Sequence, residues 1–205
     1  MLVSGVGIIS TTATHAATAK PTTILIVGDS LSAEYGLKRG TGWAALLDKR
    51  LQTEKVNAKV VNASISGDTT SGGRSRLPAL LAQHKPTHVI LELGGNDALR
   101  GLPLQMTQDN LAQMTQLAQK AGAKVLLVGM EVPPNYGADY SARFAATFKA
   151  VATTNKAAFV PFFLKGVADV PDAIKNFQAD RIHPKEEAHP VMLANVWLEL
   201  KKLLK

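Results

Sequence analysis

Apolar and polar positions alternate along the chain in short saturated runs and longer mixed stretches. Residues 22–27 contain Ile24-Leu25-Ile26-Val27, apolar on both faces, which predicts a strand at the centre of a parallel sheet. From 42 to about 54 the apolar Trp43, Ala44, Leu46, Leu47 and Leu51 recur at helical spacing, and 55–63 returns to a β-branched pattern through Val56, Val60 and Val61. The alternation continues with a helix over 77–83, a strand over 87–93, a helix over 104–120 and a strand over 124–130. A helix over 140–155, a strand over 158–163 and an amphipathic helix over 187–204 close the chain.

Five strands alternating with helices imply right-handed crossovers and an α/β fold, a three-layer sandwich around a five-stranded parallel sheet. The expected strand order is 2-1-3-4-5, the flavodoxin-like arrangement. Open parallel sheets bind ligands beyond the carboxyl ends of their strands, so functional residues are expected after strands one, two, three and five.

Composition narrows the classes. A chain of 205 residues with 46% apolar positions can bury one sizeable core, and without internal repeats or a low-complexity linker, residues 20–205 read as one domain. Residues 1–19 resemble a secretory leader: Leu2 to Ile9 is apolar and small, and Thr14-His15-Ala16 fits a small-x-small cleavage pattern, although no basic residue precedes the apolar run. A periplasmic or secreted protein is expected, without stable membrane insertion, because no apolar run reaches the roughly 18 residues that span a bilayer. The net charge of +7 is spread from Lys20 to Lys205 without a block, and aromatic residues make up 5%, too few for a base-stacking platform, so no nucleic-acid partner is expected. The absence of cysteine excludes disulfides and thiolate chemistry.

The first strand runs into Gly28-Asp29-Ser30-Leu31-Ser32, which presents the Ser30 hydroxyl at the sheet rim. Serine alone is a weak nucleophile and needs a base, an orienter for that base, and donors for the oxyanion. After the second strand comes Asn62-Ala63-Ser64-Ile65-Ser66-Gly67-Asp68-Thr69-Thr70, where Gly67 can bring an N–H close to a ligand or simply lead to a helix capped by Asp68 or Thr69. After the third comes Glu92-Leu93-Gly94-Gly95-Asn96-Asp97, where Asn96 supplies either a neutral amide donor or an ordinary Asx turn. Of five histidines, His15 lies in the leader, and His84 and His88 fall at the opposite end of the sheet. His183 falls at the correct edge, and Asp180 three residues earlier can accept its Nδ1–H, leaving Nε2 for Ser30. Asp-x-x-His can also cap a loop or bind metal, but with His189 the only second histidine nearby, no metal is expected.

Together these blocks closely resemble the SGNH, or GDSL, hydrolase superfamily, and within it the bacterial multifunctional thioesterase I/protease I/lysophospholipase L1 family, also described as arylesterases. The resemblance covers the chain from about Thr23 to its end and implies Ser30 as nucleophile, His183 as base and Asp180 as orienter. It implies an oxyanion hole of the Ser30 and Gly67 N–H groups and the Asn96 amide, and no cofactor. It also implies an acyl pocket lined by Ala98 to Pro103, Ile182 and the segment Val132-Pro133-Pro134-Asn135-Tyr136-Gly137, with Leu99, Leu102, Val132, Pro133 and Ile182 as substrate-binding residues. The implied partner is a small acyl ester or thioester, taken by a monomer.

Three positions depart from the family pattern. Glu34 replaces a small residue and Glu131 a basic or polar one, and both are expected to add negative charge at the mouth, disfavouring anionic coenzyme A thioesters and lysophospholipids. Arg181 replaces a glycine and is expected to be strained if its φ is positive.

Two other functions compete. A carbohydrate acetyl esterase would use the same chemistry, but Leu99, Leu102, Val132 and Pro133 favour acyl chains. A non-catalytic flavodoxin-like binding module would hold phosphate or flavin at the strand ends, but the chain has no Gly-Lys-Ser/Thr phosphate loop and no Gly-x-Gly-x-x-Gly after a strand. Covalent labelling of Ser30 by a fluorophosphonate separates the enzymes from the binding module.

Overall fold

The computed structural model describes Met1 and residues 22–205; the leader-like residues 1–19, His15 among them, lie outside the described residues except for Met1. Five parallel strands, β1 (Thr22–Gly28), β2 (Ala58–Asn62), β3 (His88–Glu92), β4 (Lys124–Val128) and β5 (Ala158–Val160), stand in the order β2-β1-β3-β4-β5, as expected. The apolar run of β1 is central: Ile24, Leu25, Ile26 and Val27 are fully buried, whereas β2 at the edge is only half-buried.

Helices cover both faces. α1 (Trp43–Thr53) and α6 (His189–Leu203) pack together on one side. α2 (Thr70–His84), α4 (Leu104–Lys120) and α5 (Ala138–Thr154) pack in sequence on the other, and the short α3 (Gly95–Leu99) follows β3.

Some boundaries differ from the pattern. The second helix begins at Thr70 rather than 77, because Thr69 Oγ1 accepts the Gly72 N–H and the chain runs helically through Gly72, Gly73 and Pro78. Those weak helix formers hide the first two turns from periodicity. Gly73 has a packing reason: a Cβ there would collide with Leu93 Cδ1, so the missing side chain lets α2 sit close against the residue that follows β3. β5 stops at Val160, and the chain beyond it turns irregularly through Pro161 towards Phe163, whose N–H donates to Gly129 O at 2.8 Å.

α3 went unread as a helix because five residues are too few to show a period. It is held from outside: buried Asp97 accepts the Thr70 N–H at 2.9 Å, the Thr70 hydroxyl and the Thr107 hydroxyl at 3.2 Å. One carboxylate thus ties α3 to the starts of α2 and α4. Asp97→Ala would leave these donors buried without an acceptor, and we expect a loss of about 2–3 kcal/mol in chemical denaturation; a loss below about 0.5 kcal/mol would refute this role.

Candidate active site

Ser30 follows β1 by two residues, in a tight turn in which the Ser32 and Ala33 N–H groups return to Asp29 O at 3.2 and 2.9 Å. This places its Oγ 2.9 Å from His183 Nε2, and His183 Nδ1 lies 2.7 Å from Asp180 Oδ2. Asp180 Oδ1 accepts the backbone N–H groups of Ile182 and His183 at 2.9 and 3.0 Å. Burial opposes ionisation of Asp180, but those N–H groups and the imidazole outweigh it and hold the carboxyl at about 2. An ionised Asp180 fixes the proton on Nδ1 and leaves Nε2 to accept from Ser30.

Of the other described histidines, His84 ends α2 near the start of β3, and His88 and His189 are engaged elsewhere. His88 is buried at the opposite edge, with Nε2 3.0 Å from Leu203 O, and His189 Nδ1 accepts the Trp43 N–H at 3.0 Å. Among the described residues no group of three or more His, Asp or Glu side chains could hold a metal ion.

Of the sequence-expected donors, Asn96 reaches the carboxyl of Asp29, the residue before Ser30, and Gly67 is placed only through its neighbour Asp68, whose carbonyl the Asn96 amide also reaches. Gly67 has φ +79 and its carbonyl accepts Arg100 Nη2 at 2.8 Å, while neither its N–H nor that of Ser30 donates to any acceptor among the described residues. Asn96 Nδ2 donates to Asp68 O at 2.9 Å and to Asp29 Oδ2 at 3.1 Å, so both its hydrogens are engaged.

Ser30, Asn96 and His183 open onto a cavity of about 530 Å³. Leu99, Val132, Pro133 and Ile182 line it as expected. Leu102 does not: Gly101 takes φ +64 and the Leu102 N–H returns to Asp97 O at 2.9 Å, so the chain turns away after α3. Sequence reasoning missed the deeper wall of Met130, Phe162, Leu164 and Phe177, together with Ala173 and Ile174. Most of these follow β5 in a stretch without periodicity, and their one signal was position after a strand's carboxyl end.

The three departures resolve differently. Glu131 lines the cavity and is exposed. Glu34 does not line it, which corrects its expected effect: its carboxylate accepts the Gly40 N–H at 3.0 and 3.1 Å and the Gly42 N–H at 2.8 Å. Arg181 has φ +59 at the cavity wall, the left-handed geometry anticipated for a glycine position.

Behind Ser30 lies a buried carboxyl pair. Glu92 Oε2 accepts the Ser32 hydroxyl at 2.6 Å and the Asp29 N–H at 3.4 Å, and Ser32 Oγ in turn accepts Trp43 Nε1–H at 3.1 Å. Burial, then the neighbouring Asp29 charge, push the Glu92 carboxyl well above its ordinary range. Burial likewise lifts Asp29 to about 6, against the pull of the Leu31 N–H, His183 and Asn96.

This chain belongs to the GDSL-like lipase/acylhydrolase family, whose pattern matches residues 26–191. It is 55% identical to the esterase TesA of Pseudomonas aeruginosa over 182 residues, 89% of each chain. It is 44% identical to the thioesterase 1/protease 1/lysophospholipase L1 of Escherichia coli K12 over 168 residues, 82% of this chain and 78% of that one. A crystal structure of TesA superposes with a TM-score of 0.85 at 54% identity, covering 89% of this chain and 99% of that one. The protein is therefore an ester hydrolase of the SGNH type, acting on small ester substrates, and no helix among the described residues is long and apolar enough to cross a membrane.

The raised Glu92 carboxyl has a consequence for stability. Above the ordinary carboxylate range the unfolded chain has released this proton while the folded one retains it, so stability falls as pH rises until Glu92 ionises in place. Burial holds His88 and His189 below the ordinary histidine value of 6.5, so above pH ~7 both are neutral folded or unfolded and drop out. Over the range above the ordinary carboxylate value in which Glu92 keeps its proton, we expect wild-type stability to decline with pH by at most about 1.4 kcal/mol per pH unit, and Glu92→Gln to flatten that decline in urea titrations. An equally steep decline in the variant would exclude Glu92 as the source.

Proposed function

We propose that the protein is a serine esterase that hydrolyses carboxylic esters, and thioesters, of single acyl chains through a Ser30–His183–Asp180 triad and an acyl-enzyme intermediate. The observation that carries this is the continuous chain of 2.9 and 2.7 Å contacts from Ser30 Oγ through the imidazole to Asp180, at the mouth of an apolar-walled cavity. His183 takes the Ser30 proton as Oγ attacks the carbonyl carbon. The tetrahedral oxyanion accepts from the Ser30 and Gly67 N–H groups and the Asn96 amide. His183 then returns the proton to the leaving alcohol or thiol, and water repeats the sequence in reverse to free the acid.

Leu99, Val132, Pro133 and Ile182 make up the substrate-binding wall in this proposal, with Phe162, Leu164 and Phe177 extending it. These side chains suit a hydrocarbon chain and offer an acetylated sugar few polar partners, which weighs against the carbohydrate reading. The names of the relatives, an esterase and a thioesterase/lysophospholipase, support the same substrate class. Export to the periplasm rests on the leader-like residues 1–19.

With p-nitrophenyl esters, Ser30→Ala is expected to abolish turnover and fluorophosphonate labelling, and Asn96→Ala to lower kcat by about 10²–10³. Wild-type activity in Ser30→Ala would refute the assignment. Across acyl chains of increasing length, kcat/KM should rise by roughly fourfold per methylene, the equivalent of ~0.8 kcal/mol of apolar burial, until the cavity is filled. A flat profile from acetate upward would contradict the acyl-chain reading.

A further inference from the structure

Two in-plane hydrogen bonds, at Nδ1 and Nε2, fix where the His183 imidazole lies but not its tilt, because the ring can still rock about the line joining its two nitrogens. A contact on the ring face is needed to stop that motion. Tyr35 supplies one: its ring centroid lies 4.3 Å from that of His183, with the planes 35° apart. Tyr35 is half-exposed and is not part of the cavity wall.

Its placement is held from three sides. The Tyr35 N–H returns to the carbonyl of Ser30 at 3.3 Å, tying it to the nucleophile's own turn. The Tyr35 carbonyl accepts Gln178 Nε2 at 3.0 Å, and the same nitrogen donates to Pro184 O at 3.1 Å. The backbone N–H of Gln178 donates to His183 O at 2.8 Å, so this one residue, through its side chain and its backbone, joins the Ser30 turn to both members of the His183–Pro184 dipeptide. Next in sequence, Gly36 has φ +70, and a Cβ there would collide with Gln178 Oε1. On the other side, Glu34 has φ +60, and its carboxylate is anchored on Gly40 and Gly42.

We propose that Tyr35 is a positioning residue for the His183 base, and that Gln178 locks it in place. The ring fixes the imidazole tilt that points Nε2 at Ser30 Oγ. When the Ser30 proton moves to Nε2, the aromatic face lies against the new imidazolium and favours the charged form. The effect falls on the step in which charge develops, and so on kcat rather than on substrate affinity. The proposal rests on His183 acting as the base.

Steady-state kinetics on a p-nitrophenyl ester test it, with wild type, His183→Ala, Tyr35→Leu, Tyr35→Phe and Gln178→Met side by side. Tyr35→Leu is expected to lower kcat by about tenfold with KM within about twofold, the size of a lost face contact and a loosened base. Tyr35→Phe should restore wild-type kcat, because the ring and not its hydroxyl makes the contact. Gln178→Met, which keeps the bulk and removes the hydrogen bonds, should reproduce the kcat loss, and the double variant should lose little more than either single one. Unchanged kcat in Tyr35→Leu, or a rise in KM alone, overturns the positioning role, while an inactive His183→Ala in the same series shows that the base assignment still stands. Activity in His183→Ala would overturn both.

Discussion

The parallel register of β1 and β3 sets Gly28 opposite Glu92, and the active edge depends on that pairing. A Cβ on Gly28 would come within 2.7 Å of Glu92 Oε2, so the glycine is the space the carboxyl occupies. From there Glu92 accepts the Ser32 hydroxyl and the Asp29 N–H, and through Ser32 it reaches the indole of Trp43 on α1. The turn that lifts Ser30 to the rim therefore rests on a buried polar floor bonded to the sheet on one side and to a helix on the other. Asp97 does the same for the neighbouring turn, linking α3, and with it Asn96, to α2 and α4.

Several carboxyls crowd this edge, and for Asp180, Glu92 and Asp29 the local donors and burial lead to different states. Asp180 collects two backbone N–H groups and an imidazole and stays ionised down to about 2. Asp97, fully buried, is surrounded by a backbone N–H and two hydroxyls. Glu92 has too few donors to offset its burial beside Asp29 and resists ionisation. Asp29 lies between these limits at about 6 and holds the Asn96 amide. Burial already separates exposed Asp180 from buried Asp29 and Glu92, and the N–H and O–H groups aimed at each set how far its carboxyl moves.

The loop carrying His183 has no strand or α-helix, only the short 3-10 turns Ala173–Asn176 and Glu186–Ala188. Between β5 and α6 the chain is stitched by isolated contacts: Phe177 bridges to Pro184, the Lys185 N–H reaches Asn176 O at 2.7 Å, and Asn176 Nδ2 reaches Val167 O at 2.9 Å. These contacts leave Phe177, Ala173 and Ile174 facing the cavity while His183 meets Ser30. Gln178 joins this loop to the Ser30 turn through the Tyr35 carbonyl, and the Tyr35 ring lies against that of His183.

The sequence alone determined the sheet, its strand order, and the edge at which Ser30, Asn96 and His183 stand, with Asp180 behind the imidazole. Strand runs and helical periods are local patterns, and in a right-handed parallel sheet the strand ends share one rim whatever the details of packing. The left-handed backbone at Arg181 was raised only by the family resemblance, which puts a glycine there, since an arginine carries no such signal by itself. The destination of the Glu34 carboxylate, the exclusion of Leu102, the commitment of both Asn96 hydrogens and the deep wall after β5 depend on partners distant in sequence or on irregular turns. Only the folded chain brings those groups within hydrogen-bonding or van der Waals distance, so only the tertiary structure decided them.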